Sequence, residues 1–189
     1  MLPLLERLAS LPPKEWRHLE GKLRFEHLRK GRALTGAGEI ADRFGFVASG
    51  LIRKRHVTAR GQAVVRGFGG PGAWVGAYAS LLTGMPSHLS VEAVTDTELF
   101  VLDWSEMATL YERHACWQQI GRRLAEVLLL EREARAHELL TLSARERYEA
   151  FCQSHRVFLP LLKSYDIASY LGITPVSLSR IRARQRRSA

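Results

Sequence analysis

The spacing of apolar residues changes period along the chain, and each change marks a different kind of element. Leu2 to Ala9 and Pro13 to Gly21 carry a proline near their starts and apolar residues at turn spacing, which predicts two short packing helices. From Leu23 to Asp103 the pattern shortens to β-rich or alternating runs: Phe25 to Leu28, Ala33 to Thr35, Phe44 to Ser49, Leu51 to Val57, Gln62 to Phe68, Trp74 to Val75, Leu89 to Ala93 and Glu98 to Leu102. Gly36-Ala-Gly38, Ser49-Gly50, Arg60-Gly61 and Gly69-Gly-Pro-Gly72 punctuate these runs, so an antiparallel sandwich, barrel or roll is expected. A short helix, Tyr78 to Leu82, interrupts it.

The period then lengthens to that of helices. Asp103-Trp-Ser-Glu106 has the form of a capping box and opens a helix to about Arg113. A long helix follows, about Ala115 to Leu140, with Trp117, Ile120, Leu124, Val127, Leu128 and Ala134 on one stripe. At 1.5 Å per residue it would span roughly 35–40 Å, more than a small β domain needs as cover, so part of the stripe is expected to meet a second subunit. The competing arrangement buries the whole stripe within its own chain. Ser143-Ala-Arg-Glu146 is a second capping box, opening a helix to about Ser154, and Val157 to Leu162 links it to the last segment.

That last segment has the pattern of a helix-turn-helix. Ile167, Ala168 and Leu171 form one face, Gly172 supplies a positive φ, and Thr174-Pro175 is a capped restart. Leu178 and Ile181 turn inward on the second helix, leaving Val176, Arg180, Arg184 and Arg187 on the opposite face. A narrow rod with outward cations suits the major groove. The competing reading is an ordinary amphipathic hairpin with a solvated arginine face. Against it, the segment from Ile167 onward holds five arginines and no acidic residue, contributing +5 to a net charge of +9.

At 189 residues and 46% hydrophobic, the chain accommodates a main domain with a small appendage. Its basic balance points to a polyanionic partner, double-stranded DNA before membrane. It has no run of 18 apolar residues and no signal-peptide pattern, so a cytoplasmic location is expected. Cys116 and Cys152 lie far apart in helical segments and are expected to be reduced; neither they nor the seven histidines have metal or haem spacing, and no metal or cofactor is expected. No P-loop, Gly-x-Ser-x-Gly, His-Glu-x-x-His or dinucleotide fingerprint occurs, and an enzyme is not expected.

Several pieces resemble the Crp/Fnr family of bacterial transcription regulators: Phe46-Val-Ala-Ser-Gly50-Leu-Ile-Arg, the turn Gly61-Gln, Pro71-Gly-Ala-Trp-Val-Gly76, Leu81-Leu-Thr-Gly-Met-Pro86, Val91-Glu-Ala, Leu139-Leu-Thr-Leu-Ser-Ala-Arg-Glu-Arg-Tyr148 and Ile167-Ala-Ser-Tyr-Leu-Gly-Ile-Thr. The resemblance implies an α+β fold: an antiparallel β-roll of the jelly-roll kind with flanking helices (1–114), a long dimerisation helix (115–141), and a small all-α DNA-binding head whose wing is short or absent (142–189). It implies a homodimer reading a palindromic site, with contacts to RNA polymerase. The places that take the ribose hydroxyl and the cyclic phosphate in cyclic-nucleotide-binding members hold Ala77 and Ser87 here, so cyclic AMP is not the expected effector. Gly76, Ala77, Ser87 and His88 are the candidate effector pocket, and Trp117, Ile120, Leu124, Val127 and Leu128 the candidate dimer face. Thr174, Pro175, Val176, Ser177, Ser179, Arg180, Arg184 and Arg187 are the candidate DNA-contacting residues, with Arg180 at the position that commonly meets guanine. The alternative function is a ligand- or partner-sensing module without sequence-specific DNA binding.

Overall fold

The computed structural model describes residues 1–57 and 63–188, apart from the side chains of Leu2, Leu4, Arg186, Arg187 and Ser188. The expected turn at Arg60-Gly61-Gln62 lies outside the described residues. Two short helices, α1 (Leu2–Glu6) and α2 (Pro13–Glu20), precede eight strands: β1 (Arg24–Leu28), β2 (Ala33–Thr35), β3 (Arg43–Ser49), β4 (Ile52–Val57), β5 (Ala63–Gly69), β6 (Trp74–Val75), β7 (Leu89–Ala93) and β8 (Thr97–Asp103). Helix α3 (Tyr78–Thr83) lies between β6 and β7; α4 (Trp104–Arg113), α5 (Ala115–Thr141), α6 (Ala144–Ser154), α7 (Ser164–Leu171) and α8 (Pro175–Ser188) complete the chain. Strands and helices thus segregate as α+β.

The strands form two antiparallel sheets, in the orders β1-β8-β3-β6 and β2-β7-β4-β5, which face each other as a β-roll. Leu34, Val47, Ile52, Val75, Val91, Ala93, Leu99 and Val101 fill the space between them. Period-two alternation explains why: along β7 and β8 every second side chain must point between the sheets.

The connection from β3 to β4 turns on Gly50 at φ +88°, where a Cβ would approach the Asp96 carbonyl oxygen to 2.4 Å. Only glycine adopts that backbone without strain.

A second core lies outside the roll. Leu5, Ala9, Leu11 and Leu19 of the N-terminal segment pack with Leu102, Met107 and Leu110 and with the start of α5 at Cys116, Trp117 and Ile120. Trp117 is 2% exposed and donates its indole N–H to Glu15 at 2.9 Å; Arg113 donates to the same carboxylate. Trp117 and Ile120 are therefore spent inside their own chain. The expected dimer stripe is corrected at those two positions, because the N-terminal helices already cover them.

Ser143 caps α6 in a full box with Glu146, as its spacing predicts. Asp103 does not act as a box residue. Its carboxylate is held in a bidentate pair by Arg24 of the adjoining strand, and Glu106 is drawn to Lys22 at 3.1 Å, so long-range cations outcompete the free amides of α4.

Replacing Gly50 with alanine is expected to cost about 2–3 kcal/mol, combining positive-φ strain with the close approach to Asp96. Thermal unfolding of the variant would register it as a drop in Tm of roughly 4–12 °C.

Candidate functional site

The C-terminal helices form a third core. Tyr148, Phe151, Leu162, Ile167, Ala168, Leu171 and Leu178 are buried together, and Leu51 of the roll joins them. Helix α7 ends in a Schellman turn: Gly172 takes φ +69°, its N–H donates to Ser169 O, and the Ile173 N–H donates to Ala168 O. Thr174 Oγ1 then accepts from the Ser177 N–H at 3.1 Å and caps α8. Leu178 is 1% exposed and Ile181 half-buried, so the inward face is as expected.

On the outer side Thr174, Pro175, Val176, Ser179, Arg180 and Arg184 are exposed; Ser177 is half-buried, with its hydroxyl 3.0 Å from Thr174 Oγ1. The Arg187 side chain lies outside the described residues. Arg182, on the same helix, is committed inward instead. Its guanidinium donates to the Tyr148 hydroxyl at 3.1 Å and to Ser164 Oγ at 2.8 Å. Arg147 closes the head from the other side, donating to the carbonyls of Leu171 and Leu142.

The head is docked on its own roll. Arg53 of β4 lies between two carboxylates, 2.9 Å from Glu92 of β7 and 2.6 Å from Asp166 of α7. Asp166 is 3% exposed. Arg55 also grips Glu92, at 2.6 Å, and Ser90 donates to it. The Val65 N–H of β5 donates to Ser169 Oγ of α7, and Phe68 packs its ring edge toward Phe151 and His155 and tilts against Tyr170. Helix α5 reaches the same place, with the Arg135 guanidinium over the Tyr170 ring and donating to the Tyr170 carbonyl. None of these residues was a sequence candidate, although Arg53 and Arg55, two apart on a strand, must share a face.

The four effector candidates differ in burial and in partners. Gly76 lines a cavity between the roll and α5, with Phe44, Trp74, Trp104 and Tyr111 and with Leu124 and Leu128 of the long helix. Ala77, Ser87 and His88 do not line it. Ala77 is buried against Ala41 and Leu81. The Ser87 hydroxyl is closed on the first residue of β7, donating to the Leu89 carbonyl and accepting from the Leu89 N–H. His88 is exposed. The residue missed is Lys54, which lines the cavity and follows the inward Ile52 by two positions on β4.

Farther along α5, Leu124 and Leu128 are half-buried against this cavity, while Val127 is 41% and Leu130 67% exposed. No three His, Cys, Asp or Glu residues cluster as a metal site among the described residues. Nor is any helix among them long and apolar enough to cross a membrane.

Comparison with known proteins agrees with this architecture. Residues 25–114 match the cyclic nucleotide-binding domain. The domain model thus spans all eight strands and ends at the start of α5. Among solved structures, FixK2 from Bradyrhizobium japonicum is similar at 20% identity and TM-score 0.74, covering 88% of this chain and 85% of that one. The catabolite activator protein of Thermus thermophilus is similar at 22% identity and TM-score 0.60, covering 98% and 87%. The c-di-GMP responsive global regulator CLP of Xanthomonas campestris is similar at 15% identity and TM-score 0.69, covering 92% and 91%. The likeness of these three structures to this chain is one of fold. No curated protein sequence gives a significant match.

Removing the Arg53 guanidinium leaves the buried Asp166 carboxylate without its ion pair, while Arg55 still holds Glu92, so Arg53→Met is expected to destabilise by about 3–5 kcal/mol and to lower the urea midpoint. Burial pushes the Glu92 carboxyl up, but Arg53, Ser90 and Arg55 outweigh it and hold the group below its ordinary value of 4.5. A depressed folded value means that the stabilisation is complete above 4.5 and is lost as pH falls through the depressed value. Urea midpoints measured downward from pH 6 should fall in that acid window, and Glu92→Gln should flatten the fall.

Proposed function

We propose that this protein is a DNA-binding transcriptional regulator of the Crp/Fnr type that acts as a homodimer and reads a palindromic site. One observation carries the reading: α8 is fixed by Leu178 and Ile181 and turns Val176, Ser179, Arg180 and Arg184 outward. A guanidinium in that position suits the O6 and N7 of guanine, and the hydroxyls and further arginines suit phosphates. Pro175 and Val176 offer only apolar contact at the start of the helix, so base discrimination falls mainly on Arg180 and the residues after it. Thr174 serves first as a cap, which leaves a lone pair for backbone contact.

Val127 and Leu130, three apart and exposed on α5, are the natural seam for a second copy, with Leu124 and Leu128 flanking them. Two-fold pairing there would set the two α8 helices about 34–36 Å apart, one turn of B-DNA. The roll would act as the effector domain. Ala77 brings no polar side-chain atom and the Ser87 hydroxyl is already satisfied, so the ribose and phosphate of cyclic AMP lack their partners. Surface loops of the roll and head would meet RNA polymerase, in a cytoplasmic setting.

Gel shift with random genomic fragments is expected to show binding at low salt, and if the dimer meets six to ten phosphates the affinity should fall by roughly 10³–10⁵ between 50 and 200 mM salt. Arg180→Ala should cost about 1–3 kcal/mol of binding and relax preference at one base pair. Absence of a shift at low salt, or indifference to this substitution, would favour the sensing module instead. By sedimentation, Val127→Glu combined with Leu130→Glu should turn a dimer into a monomer, since the charges would enter an apolar seam; a wild-type monomer would refute the dimer reading.

A further inference from the structure

We infer that the cavity between the roll and α5 binds a small monoanionic organic acid with a flat apolar body, whose carboxylate meets Lys54. The inference deepens the effector-domain part of the function proposed above by naming its ligand class. The cavity holds about 50 Å³ and opens to solvent at its mouth. Its walls are mostly apolar and rich in rings, among them Phe44, Trp74, Trp104 and Tyr111. Lys54 is its one ionic wall residue.

Lys54 is an anomaly for a structural lysine. Its ammonium donates only a long bond, 3.3 Å to the Trp74 carbonyl, and enters no ion pair among the described residues. An ammonium has three donors, so two directions are unfilled. Gly67, its partner across the β4–β5 ladder, leaves open space beside it. Burial lowers the Lys54 pKa, with Arg66 and Arg132 acting in the same direction against Glu131. A cation held among cations and rings is stabilised by an incoming carboxylate, and Lys suits a single point charge better than a bidentate phosphate.

A planar body is the shape that fills the rest. Rings already meet tilted or edge to face here, with Phe44 and Trp74 at 5.8 Å and Phe44 and Trp104 at 6.0 Å between centroids. Gly121 of α5 lets the Tyr111 ring lie against the helix, since a Cβ there would come within 2.2 Å of its hydroxyl. The helix backbone thereby forms one wall of the cavity.

The test uses the whole 189-residue chain and its own tryptophans, of which Trp74 and Trp104 line the cavity. Fluorescence titrations near neutral pH compare phenylacetate with phenylacetamide, its neutral isostere. Phenylacetate should saturate and bind at least tenfold more tightly than the amide, and Lys54→Met should reduce the acid to the level of the amide. Equal affinities in the wild-type protein, no saturation by either probe, or a preference that survives Lys54→Met would overturn the inference. The first two outcomes would be expected if a carboxylate of a second copy occupied the place. The wild-type comparison stands even if the variant does not fold. Gel shifts run in parallel separate the two proposals: DNA binding without acid preference sinks only the ligand, and acid preference without DNA binding sinks only the regulator.

Discussion

The placement of the C-terminal helices depends on one guanidinium. Arg53 accepts no substitute easily, because it answers a carboxylate from its own sheet and one from α7, both withdrawn from water. A buried ion pair adds little net stability compared with well-packed apolar residues, since desolvation consumes most of the attraction. Its effect is on specificity. Any other docking of the head strands Asp166 without a partner, so one orientation is selected from the many that apolar contacts alone would tolerate. The rings around Phe68 supply the adhesion, and the ion pairs supply the register.

Around that pin the molecule is less modular than a division into roll, helix and head suggests. The first turns of α5 belong to the core formed with the N-terminal helices, its middle walls the cavity, and Arg135 near its end touches the head. One rod therefore contacts the N-terminal core, the roll and the head. Leu51 contributes to the head's core from the edge of the roll, next in sequence to Ile52, which points between the sheets. Where the chain enters β4, successive side chains turn to opposite faces, and here those faces belong to different cores.

Much of this was legible in the chain, and the reasons are local. Gly172, Thr174 and Pro175 dictate a turn through backbone preference alone, and Ser143 with Glu146 dictates a helix start. The strands followed from alternation and from glycines such as Gly50 that no other residue replaces. What escaped was decided by partners distant in sequence. Asp103 and Glu106 have the spacing of a box, yet Arg24 and Lys22 claim them from across the fold. Trp117 and Ile120 lie on the same helical stripe as Val127, and only the position of Leu5 and Leu19 decides that the stripe is half used. Lys54 had a readable signal, a charge at an inward strand position, but its surroundings depend on how α5 crosses the roll. Ser87 engages its hydroxyl with Leu89 two residues on, a local turn that the apolar pattern does not announce.

The order of the second sheet gives the contact between Val65 and Ser169 another meaning. Strand β5 is an outer strand, and its amides would otherwise be a template for pairing with a neighbouring chain. By seating α7 there, the fold blunts one sticky edge. A chain shortened ahead of α7 would lose that shield, and aggregation through β5 would be its characteristic failure.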